Sequence, residues 1–332
     1  MKRRNLFIII GLGLFLWLAA VGVVASRFLT TAVTPSHAVL INVAPGQSFA
    51  TTTQRLVAQG VVSDGRKFRL LARWRQAARR IKAGEYEFRV AATPDQVLAR
   101  LISGDVYKRK VTIPEGFDLR QIAARVAAVD LVPATDFLST VTDPAFVHAL
   151  NIDAQTLEGY LFPETYAFSR GTSVEQIVAA MVGELRTRLN PELLAAAAKV
   201  GLDPHQLVTL ASLIQKETGV NAEMPLISAV FHNRLNLRMP LQTDPTVIYG
   251  IENFDGNLTR RHLRAPTPYN TYTFVGLPPG PIAAPGAQAL HAAAHPAETD
   301  ALYFVAKGDG THKFSGNLRD HNRAVRRYQL RH

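Results

Sequence analysis

From Leu6 to Ala25 the chain runs for twenty residues without a charged side chain. At about 1.5 Å of helical rise per residue such a run is roughly 30 Å long, the thickness of a bilayer hydrocarbon core. Lys2, Arg3 and Arg4 precede it. Positive flanks stay cytoplasmic, so the amino terminus is expected inside and the carboxy terminus outside. A cleaved signal peptide is the competing assignment. Its apolar core would be shorter, about 7–15 residues, and would end in small residues; Val23-Val24-Ala25-Ser26 fits that pattern poorly. No second run approaches this length, so the sequence predicts a single crossing.

About 300 residues follow, enough for two domains. The chain has no cysteine, which excludes disulfides, thiol catalysis and Cys-based zinc sites. Net charge is +11, from 37 basic and 26 acidic residues. The basic charge is concentrated: Arg66, Lys67, Arg69, Arg73, Arg75, Arg79, Arg80 and Lys82 fall in one stretch with no acidic residue. A nucleic-acid patch is one reading, and the expected orientation outside the cytoplasm argues against it. The others are a solvated helix face and attraction to anionic lipid or an acidic polymer.

Residues 28–38 read as a linker. Val39–Val43 reads as a strand, Phe49–Gln59 and Phe68–Ile81 as helices, and Glu85–Val90 as a strand. Thr93 caps a helix running to Ile102, with Gly104 as its stop. Lys110–Ile113 reads as a strand, and Asp118 opens a helix to Ala128. Further helices are expected over Val174–Leu189, Pro191–Val200, Pro204–Thr218 and Met224–Leu235. After Arg238 the chain is rich in Pro, Thr, Asn and Gly up to Pro285, and a loop of that length is usually functional. A helix over Pro285–Ala294, a strand over Ala301–Val305 and a helix over Leu318–Leu330 complete the chain. No Gly-rich phosphate loop appears.

The helix at 204–218 carries the sharpest chemical signal. Leu207, Leu210 and Ile214 form an apolar stripe at spacings of three and four, and Glu217 continues it. A carboxyl group thus occupies a position where the pattern calls for an apolar side chain. It also sits in the last turn, where the negative end of the helix dipole disfavours ionisation. Partial burial acts the same way. Both effects favour a protonated carboxyl near neutral pH, as general-acid cleavage of a glycosidic bond requires. The plain alternative is a stripe ending at a helix end, with Glu217 in water.

The segment Ala211-Ser212-Leu213-Ile214-Gln215-Lys216-Glu217-Thr218 resembles the catalytic segment of the YceG-like endolytic murein transglycosylases, the MltG family. The resemblance continues through Phe231-His232-Asn233-Arg234-Leu235, Leu241-Gln242-Thr243-Asp244-Pro245-Thr246-Val247-Ile248-Tyr249-Gly250, Pro268-Tyr269-Asn270-Thr271-Tyr272 and Gly276-Leu277-Pro278-Pro279-Gly280-Pro281-Ile282. Upstream, Leu157-Glu158-Gly159-Tyr160-Leu161-Phe162-Pro163-Glu164-Thr165-Tyr166 is similar as well, and downstream Ala292–Pro296 and Tyr303–Val305. The family usually has glutamate-lysine-glutamate in the catalytic helix; here the first position is Gln215, and the catalytic glutamate matches Glu217.

The resemblance implies an α+β chain in four parts: a tail and transmembrane helix over 1–27, a linker over 28–38, a small LysM-like α/β module over 39–106 and a mixed α+β catalytic region over 107–332. It implies a membrane-bound lytic transglycosylase of the cytoplasmic membrane, its catalytic region on the periplasmic side. That enzyme cleaves the MurNAc-GlcNAc bond of peptidoglycan glycan strands with no cofactor and leaves 1,6-anhydro ends. Glycan strands, the membrane and peptidoglycan synthases are the partners it implies; nucleic acid is not among them. One carboxyl group can serve twice in such a reaction, first as acid to the leaving oxygen and then as base to the C6 hydroxyl. Both transfers fall to Glu217. A two-carboxylate hydrolase on the same scaffold, using Asp244 or Glu164 as base, and a non-enzymatic wall-binding protein are the alternatives.

Gln242, Thr243, Asp244, Asn270 and Thr271 are candidate substrate contacts by their donors and acceptors, and Tyr249, Tyr269 and Tyr272 by their stacking faces. Turn chemistry alone also accounts for Asp244-Pro245 and Pro268-Tyr269-Asn270. Glu164 is a second candidate carboxyl. His291 and His295 have the i, i+4 spacing of a zinc pair but lack the accompanying Glu, so no metal site is expected. Arg323, Arg326, Arg327 and Arg331 read as a solvated helix face.

Overall fold

The uncharged run continues as one helix, α1 (Lys2–Thr30), in the computed structural model, which describes residues 2–330 with side chains from residue 8 onward. Its segment Ile8–Thr30, 23 residues, is long and apolar enough to cross a membrane, and none of its apolar window is buried against protein. The side chains of Lys2, Arg3, Arg4 and Arg331 lie outside the described residues.

The chain divides into two compact units, Met1–Arg109 with Ser169–Gly171, and Lys110–Phe168 with Thr172–His332. In the first, β1 (Val39–Val43) buries Val39, Ile41 and Val43 on one face, the alternation a half-buried strand requires. Ser48 caps α2 (Phe49–Ala58). The next helix, α3, spans Gly65–Trp74, earlier than the expected 68–81. Asp64 fixes its start by accepting from the Arg66 and Lys67 amides. Its end is a left-handed Gln76, which lets the Ala77 amide reach back to the Ala72 carbonyl. That stop carries no glycine, so the sequence concealed it. β2 (Gly84–Phe88) pairs antiparallel with β1, Val39 facing Phe88. Helix α4 (Pro94–Ser103) has a Thr93–Gln96 capping box and ends at the left-handed Gly104. The residues read as a linker are tied down: Phe28 is buried in this core and Val33 bridges Ala92. Buried Glu85 is held by Arg109 and by Arg170, the latter at 3.1 Å, and Arg109 foremost keeps its carboxyl below the ordinary range. The basic side chains of the 66–82 stretch are all exposed.

β3 (Lys108–Thr112) pairs with β4 (Thr165–Ser169), a strand the sequence did not reveal. Between them lie α5 (Leu119–Ala127), α6 (Ala134–Val141) and α7 (Pro144–Ala149); the last two were not expected. They are only eight and six residues long, and their buried faces show too little periodicity to read. Then follow α8 (Val174–Arg188), α9 (Pro191–Lys199), α10 (Pro204–Glu217), a 3₁₀ turn (Asn221–Glu223) and α11 (Met224–Asn236). The expected long loop contains two short helices, α12 (Asp244–Tyr249) and α13 (Arg260–Arg264). α14 (Ala287–Ala294), the antiparallel hairpin β5 (Tyr303–Ala306) and β6 (His312–Ser315), and α15 (Leu318–Tyr328) close the unit. The sequence reading lacked β6.

α10 is the axis of this second core. All eight residues from Leu207 to Ile214 are buried, so the stripe seen in the sequence is one side of a helix enclosed all round. It packs on α14, α11, α9 and α12. Ala289, Ala292 and Ala293 of α14 have side chains small enough for close helix approach.

Candidate active site

Glu217 is the last residue of α10. An Asp203–Gln206 capping box and Pro204 fix where that helix starts. At the other end Thr218 leaves helical geometry (φ −148°, ψ 143°), and its hydroxyl accepts from the Val220 amide at 3.0 Å. The buried helix therefore delivers Glu217 to a cleft of about 550 Å³ at its carboxyl end.

Three groups surround the carboxyl. The Thr243 hydroxyl donates to Glu217 Oε1. Asp244, in the first turn of α12, lines the same cleft, and Tyr272 Oη donates to its Oδ1 at 2.6 Å. His312, on β6, lines the cleft from the other side. Its backbone amide and Nδ1 both engage Glu223, at 2.9 and 2.8 Å. Burial dominates the electrostatics and pushes the Glu217 carboxyl up to about 7; the Thr243 hydrogen bond opposes this, negative Asp244 adds to it, and His312 opposes it. Glu217 thus holds its proton to a much higher pH than a free glutamate while lining the cleft.

Arg234, on α11, forms the cleft's buried flank. Its Nε donates to the Leu302 carbonyl at 2.7 Å, and one terminal nitrogen donates to the Leu241 carbonyl at 2.9 Å and to Gln242 Oε1 at 3.3 Å. Its guanidinium stacks 5.0 Å from the Tyr303 ring centroid. This one side chain ties the segment before α12 to the strand β5. Gln242 adopts a left-handed φ of 51° there.

The residues singled out in the sequence separate into groups. Gln242, Thr243, Asp244 and Tyr272 gather around Glu217. Asn270 and Thr271 are fully buried. Asn270 Nδ2 donates to the carbonyls of His262, Leu263 and Ala265, and Thr271 Oγ1 accepts from the Thr243 amide at 3.1 Å. These two shape the loop from beneath and offer no surface to a ligand. Tyr249 and Tyr269 line a different cavity. Glu164 is exposed, accepts from the Thr165 amide and lies 3.9 Å from Arg188, away from the Glu217 cleft. Gln215, two residues before Glu217, points elsewhere: its Oε1 accepts from the Gly286 amide at 3.0 Å, at the start of α14. A neutral side chain fills that task, which accounts for the tolerance of glutamine there.

His291 and His295 stack on each other at 4.1 Å. Among the described residues no group of three or more His, Cys, Asp or Glu is placed to hold a metal. Arg234, His312 and Glu223 escaped the sequence reading of the site. They lie 17, 95 and 6 positions from Glu217; Arg234 falls in a segment that resembles the family, and no local pattern marks His312 or Glu223.

The YceG-like family model matches residues 41–327. An endolytic murein transglycosylase of Bacillus subtilis is 34% identical over 304 residues, covering 87% of this chain and 84% of that protein. One from Streptococcus pneumoniae is 30% identical over 311 residues, covering 84% of this chain and 56% of that longer protein. A crystal structure of a YceG-like protein from Listeria monocytogenes superposes with a TM-score of 0.60 at 33% identity, covering 86% of this chain and 98% of that one. With a family match over most of its length and a relative 34% identical over 87% of it, this chain belongs to the YceG-like family.

Proposed function

We propose that this chain is a membrane-anchored lytic transglycosylase that cuts peptidoglycan glycan strands between N-acetylmuramic acid and N-acetylglucosamine. The observation that carries the proposal is Glu217: a carboxyl at the end of a buried helix, open to a cleft and pushed up to about 7. The relatives named endolytic murein transglycosylase support it.

In this mechanism protonated Glu217 gives its proton to the glycosidic oxygen as the bond to the anomeric carbon breaks. The resulting carboxylate then takes the proton of the muramic acid C6 hydroxyl as that oxygen attacks the same carbon. The glutamate is regenerated protonated and no water is consumed. Thr243 keeps the carboxyl in place, and the nearby Asp244 carboxylate stabilises the developing positive charge on the sugar. Gln242 and Tyr272 are the proposed substrate contacts beside them. If the reaction were hydrolytic, Asp244 would be the base within the cleft.

Apolar α1 supports single-pass anchoring, with the amino terminus in the cytoplasm and both units outside. Anchoring confines cleavage to strands near the outer face of the cytoplasmic membrane, where they are polymerised, and so favours endolytic cutting of nascent chains. The β1–α2–α3–β2 order with antiparallel pairing supports a LysM-like glycan-binding role for the first unit. Association with peptidoglycan synthases belongs to the same proposal and rests on family resemblance alone.

The test is to digest purified peptidoglycan with the full chain in detergent micelles and identify the new ends by mass spectrometry. Ends lighter by one water, the 1,6-anhydro form, are expected. Reducing ends would establish hydrolysis instead, and absence of cleavage would refute an enzymatic role.

A further inference from the structure

Helix α1 does not end in a free tether. Phe28, in its last turn, is buried in the core of the first unit, and Val33 just beyond it bridges Ala92. Lys67 on α3 stands over the Phe28 ring, 5.9 Å from its centroid. The side of the unit beside α1 is therefore held at a fixed level relative to the spanning segment. The uncharged run stops at Ala25, and Arg27 is the first charge after it. Beyond the hydrocarbon core, the headgroup layer is about 5–8 Å deep on each side. The five steps from Ala25 to Thr30 rise about 7.5 Å and so cross that layer.

A groove of about 450 Å³ opens at this level, between Ala25, Phe28 and Leu29 of α1 and Leu70, Leu71 and Trp74 of α3. Its walls are apolar except for Lys67. Helix α3 buries Phe68, Leu71 and Ala72 against the unit's core, yet Leu70 is 67% and Trp74 72% exposed. These two lie four residues apart, on one outward face of the helix. A solvated helix face accounts for the arginines around them and leaves the leucine and the indole without a role.

The charge on that face has one sign. At about 100° per residue, Arg66 and Arg73 flank Leu70 on one side and Lys67 on the other, each within about 60°. Lys67 pairs with Asp64 at 3.4 Å and Arg75 with Asp95 at 3.0 Å. Arg66, Arg69, Arg73, Arg79 and Arg80 are exposed and have no acidic partner among the described residues. Leucine and tryptophan bordered by arginines are the composition of a helix lying in a lipid interface, where apolar side chains enter the acyl boundary and cations meet phosphates.

We propose that α3 is a second membrane contact: Leu70 and Trp74 insert beside α1 into the outer leaflet of the membrane that α1 spans, and Arg66, Arg69 and Arg73 bind the phosphates of anionic phospholipids there. The proposal rests on the anchoring reading of α1. A second copy of this chain fits the groove less well, because it would bring two clusters of unpaired arginines together. A soluble acidic polymer would satisfy the arginines and leave Leu70 and Trp74 in water. Contact through α3 as well as α1 holds the first unit on the bilayer surface by two helices instead of one.

Trp17 and Trp74 are the chain's two tryptophans, one in the span and one in the groove, so each can report alone. The full chain carrying Trp17→Phe is reconstituted into vesicles of equal parts phosphatidylcholine and phosphatidylglycerol, one of the two brominated on its acyl chains near the glycerol. Brominated lipid should reduce Trp74 emission by roughly half, and brominated phosphatidylglycerol should quench about twofold more than brominated phosphatidylcholine. Replacing Arg66, Arg69 and Arg73 by Gln should remove that preference and leave the melting temperature unchanged, since all three are exposed. Trp74 open to aqueous acrylamide and untouched by lipid would overturn the proposal in favour of a solvated face or a soluble polymer. Trp74 shielded from both quenchers would overturn it in favour of a second copy. Equal quenching by the two lipids, or a preference that survives the arginine substitutions, would overturn the assignment to anionic phospholipid. The Trp74→Phe chain, in vesicles brominated at the bilayer centre, tests the parent reading separately with Trp17 as reporter. Trp17 quenched and Trp74 not would leave α1 as an anchor without this second contact; neither quenched would overturn the anchoring and the contact with it.

Discussion

Replacing Glu217 by Gln should abolish cleavage and, at alkaline pH, stabilise the fold. Burial raises this carboxyl from its ordinary 4.5 to about 7. Between those values the native protein holds a proton that the unfolded chain has released. Stability therefore falls as pH rises through that window and levels off above about 7. At about 1.4 kcal/mol per pH unit, the ionised form costs the native state roughly 3 kcal/mol at pH 8. Glutamine occupies the same volume, still accepts from Thr243 and never ionises. Its advantage over glutamate should grow by roughly 2–3 kcal/mol between pH 5 and pH 8. For a unit of this size that is roughly 5–10 °C in melting temperature. Thermal melts of both proteins in the same micelles at pH 5 and pH 8 measure it directly, and the other titrating groups cancel in the difference. An equal advantage at both pH values would show that burial does not hold the catalytic proton, and the acid assignment would lose its physical basis.

Cleavage by the wild type should lose about tenfold in kcat/KM per unit above pH 7, since the acid must be protonated. Thr243→Val removes a bond that favours the carboxylate, so the alkaline limb should move up by roughly one unit; a downward move in the pH–rate profile would contradict the arrangement. Arg234→Met strands the carbonyls of Leu302, Pro240 and Leu241 and should cost roughly 2–4 kcal/mol in urea unfolding; an unchanged midpoint would mean those carbonyls find other donors. Gly159→Ala should cost roughly 2 kcal/mol or more, because Gly159 has a φ of 77° and a Cβ there would lie 2.3 Å from the Pro281 Cβ. Its melting temperature checks this, and a variant melting with the wild type would show that the Gly159–Pro281 approach relaxes freely.

Several parts of the molecule were legible because their causes are local. α1 follows from twenty uncharged residues, and α4, α5, α8, α9 and α10 from side chains that bond to amides three positions away. β4 was not legible, since it is a strand only by virtue of β3, far back in the chain, and β6 is a four-residue arm of a hairpin, too short to show an alternation. α3 began and ended elsewhere because Asp64 outranks the apolar periodicity as a start and a left-handed Gln76 stops it. The Pro-rich loop concealed α12 and α13, each too short to show a period.

The same division holds at the site. The sequence pattern placed a carboxyl at the end of an apolar helix stripe, and the family resemblance matched that carboxyl, Glu217, to the catalytic position. What it could not rank was the remaining polar residues of the long loop, because a side chain's role there depends on what the fold has left unpaired. Folding consumed Asn270 and Thr271 in backbone hydrogen bonds, left Glu164 beside Arg188 at the surface, and divided the tyrosines between two cavities. It also brought in Arg234 and His312, whose places in the cleft come from burial and from partners far along the chain. Which groups are desolvated, and which find partners, depends on close packing between distant segments, so that part of the site was decided by the tertiary structure alone.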